Sequence, residues 1–175
     1  MNVYDKVLLE TRLEFPQFKI EKKSESRFMR FLAFLLFFNK AFMVHFVTTI
    51  GNTMWVPAVW ELWTPDLQAS VLRHERVHLQ QQKRYGMLRY SLMYLLWPFP
   101  ILWAAGRTKL EMEAYEESLR SYAEYYGVAI LTSEALREGI IAHFTTGQYG
   151  WMCINKKKVE AWYDGFARSM LEESA

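Results

Sequence analysis

The chain has 175 residues, 51% of them apolar and 23% charged, and its 21 basic and 19 acidic side chains leave a net charge of +2. That balance excludes disorder as the main state and gives no electrostatic case for a nucleic-acid partner. The single cysteine, Cys153, excludes an intrachain disulfide framework and a cysteine-rich zinc site.

The length suits a single domain over residues 1–175. Residues 1–23 read as irregular or extended, with Pro16 as a breaker. Ser24 or Ser26 can cap a helix running to about Lys40. Its apolar residues lie nearly all round, so the helix is expected to be largely buried. Two β-rich runs, Phe42 to Ile50 and Thr53 to Val56, flank Gly51-Asn52 and predict a β-hairpin ended by Pro57. Thr64-Pro65-Asp66 is a helix start: a capping hydroxyl, Pro at the first helical position and an acid at the positive end. That helix should run to about Tyr85, where Gly86 stops it. Further helices are expected over Met87 to Trp97, from a Thr108 cap to Tyr126, from Thr132-Ser133-Glu134 to just before Thr145, and after the Lys156–Lys158 charge cluster to about Leu171. Residues 145–150 read as a loop. The fold class is α+β, mostly α, with one small β-hairpin ahead of the best-capped helix.

The N-terminus lacks the basic and apolar regions of a secretory signal, which favours a cytoplasmic location. The apolar run from Phe31 to Phe38 is too short to span a bilayer. The run from Tyr90 to Gly106 is interrupted by Pro98 and Pro100. A buried helix and turn is the plain reading of that segment. Peripheral membrane contact through Trp97, Phe99 and Trp103 is the alternative.

The helix opened by Thr64 carries His74-Glu75-Arg76-Val77-His78, an H-E-x-x-H motif. A chance match in a chain with this His and Glu content arises roughly once in a hundred. Spacing of i and i+4 puts His74 and His78 on one helix face, where two imidazoles can bind one zinc ion. Glu75 can then act as general base toward a water that zinc activates, and that water can attack a polarised carbonyl. A catalytic zinc site takes three protein ligands and an open position. Neither His45 nor His143 follows His78 closely, so a carboxylate from the cluster Glu111-Met112-Glu113-Ala114-Tyr115-Glu116-Glu117 is the other source. Glu111 and Glu113 point about 200° apart on a helix, so only one of them can face the metal. Glu116 and Glu117 read as a charged helix face, and Arg76 and Gln80 to Arg84 as helix surface.

These motifs resemble the gluzincins, zinc metallopeptidases with H-E-x-x-H and a downstream glutamate ligand. Several membrane-associated branches carry that ligand in Glu-x-x-Ala-Asp on a second helix. Glu111-Met112-Glu113-Ala114-Tyr115 matches except at Tyr115, where the family has an Asp that often holds a ligand histidine. The resemblance covers about residues 42–126, with the helices of 132–171 outside it. It implies a minimal zincin-like domain, one zinc ion per chain, Glu111 as third ligand with Glu113 as competitor, and a peptide or protein substrate. Thr53 to Val56 could then hold a substrate backbone as an edge strand. His143, Tyr149 and Tyr115 are candidates by residue type to stabilise a transition-state oxyanion. Two other readings remain at this level: a non-catalytic membrane-peripheral or assembly protein, and a zinc amidase acting on a non-protein substrate.

Overall fold

The computed structural model describes residues 1–35, 42–95, 104–146 and 155–174. Among these lie seven α-helices and a three-stranded sheet, which agrees with the mostly helical α+β class expected. The chain divides into two compact units, Met1–Lys83 and Arg84–Ala175.

The first unit opens with helix α1, Val3–Glu14, where an irregular segment was expected. A capping box starts it. Asp5 N–H donates to Asn2 Oδ1 at 2.8 Å, and Asn2 N–H donates to Asp5 Oδ2 at 3.2 Å. Only Val7 and Thr11 of α1 are buried, so the helix carries almost no apolar periodicity. Its C-terminal half is held by charge instead, through Glu10 and Glu14.

Strand β1, Lys19–Lys22, follows, and then helix α2, Arg27–Leu35. Helix α2 corrects the expectation of a largely buried helix. Met29 is fully buried, but Phe28, Phe31 and Phe34 are 50%, 59% and 74% exposed. A helix apolar on every side needs partners on every side, and the described residues supply them on one only. The stretch expected to carry this helix to Lys40 lies outside the described residues.

Strands β2, Thr48–Ile50, and β3, Thr53–Val56, form the expected hairpin, shorter than the β-rich sequence allowed. Ile50 pairs with Thr53, leaving Gly51-Asn52 as the turn, and Gly51 adopts φ +60°, which a glycine takes without a Cβ clash. His45, expected in a strand, sits exposed in a turn before β2. The sheet order is β1-β3-β2, with β1 parallel to β3. Strand β3 is therefore central and hydrogen-bonded on both sides. It cannot offer the free edge that substrate addition needs. Its alternate residues Met54 and Val56 enter the core at 0% and 1% exposure.

Helix α3 runs Pro65–Tyr85. Thr64 caps it as expected: Leu67 N–H donates to Thr64 Oγ1 at 3.4 Å, and Gln68 N–H to Thr64 O at 2.9 Å. Gly86 at φ +76° ends it.

The second unit contains α4, Met87–Leu95, α5, Ala104–Tyr126, α6, Glu134–Thr145, and α7, Lys156–Glu173. Helix α5 starts before Gly106. Thr108 is therefore an internal, buried helical residue and not a cap. A glycine inside a helix costs only about 1 kcal/mol relative to Ala, which packing readily offsets. Gly127 at φ +84° ends α5, Ser133 caps α6, and Asn155 caps α7. Leu119, Ile140, Ile141, Phe144, Val159 and Tyr163 form the core of this unit. Glu116 is not simply part of a solvated face: it is half-buried and accepts a hydrogen bond from Trp162 Nε1 at 3.0 Å. Lys156 to Lys158 are exposed, in the first turn of α7. No helix among the described residues is long and apolar enough to cross a membrane. The prolines and aromatics of 97–103 lie outside the described residues.

Candidate metal centre

The H-E-x-x-H turn sits near the middle of α3, with about two helical turns or more on either side. The i, i+4 spacing brings His74 and His78 together as expected. Their Nε2 atoms are 3.2 Å apart, with ring centroids at 4.9 Å and planes at 79°. Two zinc–nitrogen bonds of 2.0–2.1 Å at a tetrahedral angle span about 3.3 Å between the nitrogens. The pair therefore already has the separation that a shared tetrahedral ion requires. His78 is 4% exposed and His74 half-buried.

The other nitrogen of His78 is fixed. Its Nδ1 lies 2.9 Å from Gln81 Oε1, and Gln81 is fully buried. Where Nδ1 donates to this amide oxygen, the lone pair of His78 is on Nε2, the atom that faces His74. Sequence reasoning assigned Gln81 to the helix surface. The signal that could have found it is spacing: a residue three positions after a ligand histidine lies on the same helix face, one turn along.

Glu75 is 7% exposed, a buried carboxylate between the two histidines in sequence. A cation accompanies it. Lys23, fully buried, donates from Nζ to Phe42 O at 2.8 Å and lies 3.9 Å from the centroid of the Phe42 ring. Burial pushes the Lys23 ammonium down to about 7, and the Glu75 carboxylate pulls the other way. Nothing in the sequence around Lys22-Lys23 marks one lysine as internal and its neighbour as exposed.

Arg76, the residue after Glu75, was also read as surface. It instead ties α3 to α1: its guanidinium reaches Glu14 at 2.7 Å and Glu10 at 3.3 Å. Gln80 adds a hydrogen bond to Glu14 at 3.0 Å. Burial raises the Glu14 pKa, but the hydrogen bonds from Gln80 and Arg76 outweigh it and leave the carboxyl below its usual range.

In the second unit the two competing glutamates of α5 differ. Glu111 is 6% exposed. Glu113 is engaged elsewhere, with Oε1 2.8 Å from Arg84 Nη1 and a third of its side chain exposed. Within the first unit, His74 and His78 offer two nitrogen ligands at the separation that a shared ion takes.

The oxyanion candidates His143 and Tyr115 belong to the second unit. His143 lies in the last turn of α6 with its ring 5.7 Å from that of Tyr115, which also meets Phe144 at 5.2 Å. Tyr149 lies outside the described residues. Comparison with protein-family models, with curated proteins and with solved structures gives no match.

Proposed function

We propose that the chain is a zinc-dependent hydrolase of the gluzincin kind, acting as a metallopeptidase on a peptide or protein substrate. The observation that carries this reading is the His74–His78 pair, whose Nε2 atoms stand 3.2 Å apart on one face of α3, with His78 oriented by a buried Gln81. A helix with two incidental histidines has no need of a buried amide fixing one ring nitrogen. His74 and His78 are two of the ligands in this reading, and the resemblance to the gluzincins adds Glu111 as the third, a His₂Glu set suited to zinc.

A divalent ion at that place would polarise a carbonyl as a Lewis acid and lower the pKa of a water molecule to about 7. The protein's own contribution is acid–base chemistry and positioning. Glu75 takes the proton of the attacking water and delivers it to the leaving amine. Gln81 keeps the His78 ring in one tautomer and one orientation.

Elemental analysis after zinc loading, with an assay on casein and a mixed peptide library, tests the reading. The wild type should hold one zinc per chain and hydrolyse peptide bonds. His78→Ala should lose both properties. Glu75→Gln should keep the zinc and lose the hydrolysis. No zinc in the loaded wild type overturns the proposal. Hydrolysis of small amides or cell-wall fragments in place of peptides would move it from peptidase to amidase.

A further inference from the structure

The exposed side of α2 combines large apolar side chains with cations. Phe28, Phe31 and Phe34 recur at i, i+3 and i+6, and Phe31 and Phe34 are more than half exposed. Phe28 leans on Trp55 at a centroid distance of 6.2 Å, which leaves Phe31 and Phe34 as the outward pair. Arg27 and Arg30 are exposed on the same side. At 100° per residue the exposed arc reads Arg30, Phe34, Arg27, Phe31, Phe28, so cations and phenyl rings alternate around it. The helix contains no acid; Glu25 lies in the turn before it.

The placement of the arginines is informative. Both lie toward the N-terminal half of α2, and the first turn has no acidic residue. The helix dipole favours anions at that end and disfavours cations. Ser26 already caps the helix, with Met29 N–H donating to its Oγ at 3.2 Å. Two arginines at the positive end of a helix are poorly placed for the isolated chain and well placed for an external anion. Phenyl rings interleaved with arginines match the layered chemistry of a bilayer surface, where phosphate lies above acyl chain.

We propose that α2 is a membrane-surface anchor that lies flat on an anionic bilayer, with Phe31 and Phe34 entering the acyl boundary and Arg27 and Arg30 on the lipid phosphates. The described part of α2, nine residues, is about 14 Å long, which gives its exposed face room for both phenyl rings and both guanidinium groups. This inference does not rest on the metal reading, because lipid binding is measured without catalysis.

The test is flotation of the purified full chain with vesicles of phosphatidylcholine alone and of phosphatidylcholine mixed with phosphatidylserine. The wild type should float with the mixed vesicles and much less with the neutral ones. Phe31→Ser with Phe34→Ser should weaken binding by about tenfold or more, since each removes an inserting ring. Arg27→Gln with Arg30→Gln should weaken it by a similar factor on the mixed vesicles only, and added salt should imitate that loss. All four positions are exposed, so circular dichroism and thermal melting should match the wild type. Equal flotation with both vesicle types, or flotation that the four substitutions leave unchanged, overturns the proposal. So does a phenylalanine face that holds a second copy, seen as a wild-type dimer in ultracentrifugation that Phe31→Ser with Phe34→Ser converts to a monomer.

Discussion

Gln81 Oε1 lies 2.9 Å from Nδ1 of His78, one helical turn along the same face of α3. In the gluzincins that the sequence resembles, an aspartate after the downstream glutamate often orients a ligand histidine. This chain has Tyr115 at that place and packs it against His143 and Phe144. The orienting contact to His78 comes instead from within the motif helix. Gln81→Leu keeps the side-chain volume and removes the acceptor. It should weaken zinc binding about 10- to 100-fold, as loss of such supporting contacts does, while the helix content stays unchanged. Competition with a chromophoric chelator reads the affinity directly. Affinity equal to the wild type would reduce Gln81 to a packing residue.

Glu111 and Glu113 differ in what holds them, and this separates their roles. Glu113 pairs with the exposed Arg84, whose pKa rises mainly through that hydrogen bond. Glu113→Gln removes an exposed ion pair, so zinc content and activity should both persist. Glu111→Gln removes a buried carboxylate and should lower zinc occupancy with little loss of secondary structure. Elemental analysis of the two variants in parallel gives the answer. The reverse pattern would mean that the register taken from the resemblance is off by two residues.

The parts legible in the sequence were those set by neighbours along the chain. Thr64-Pro65-Asp66, Gly86, Gly51-Asn52 and Ser133 each impose a local geometry, and each acts where expected. The i, i+4 histidines are of the same kind. What was not legible depends on residues far apart. Helix α1 has almost no apolar face and is tied to α3 by Arg76 and Gln80, more than 60 residues away. Strand β1 joins the sheet beside β3, across 34 residues, and this makes β3 central and removes the edge assigned to it. Lys22 and Lys23 are adjacent lysines, one exposed and one fully buried, and only the tertiary fold separates them.

Tyr163 offers a check on the core of the second unit. Its ring is buried at 1% exposure, and its hydroxyl donates to Leu131 O at 3.0 Å in the 3-10 turn after α5. Tyr163→Phe keeps the ring and leaves a buried carbonyl without that donor. The expected loss is about 1 kcal/mol, read as a shift in the urea midpoint. Leu119→Ala, fully buried in the same cluster, should cost roughly 2–5 kcal/mol. A Tyr163→Phe cost as large as that of Leu119→Ala would show that the hydroxyl anchors the whole turn.

Lys23 gives the first unit a pH-dependent stability whose sign follows from its surroundings. Burial lowers its pKa to about 7, from 10.5 in an exposed lysine, and the Glu75 carboxylate opposes the fall. Below pH 7 the folded and unfolded chains both carry the proton, and the cost of burying the ammonium is constant. Between about 7 and 10.5 the unfolded chain binds the proton and the folded chain does not. Stability must therefore rise with pH across that window, with a slope approaching about 1.4 kcal/mol per pH unit. Lys23→Met removes the titrating group and should remove this rise. The quantity to measure is the difference in unfolding free energy between wild type and Lys23→Met, by urea titration at intervals from pH 6 to 10. That difference should be flat below pH 7 and shift steadily in favour of the wild type above it. Parallel curves through the window would mean that Lys23 stays charged in the folded protein, held by Glu75 more strongly than burial opposes it.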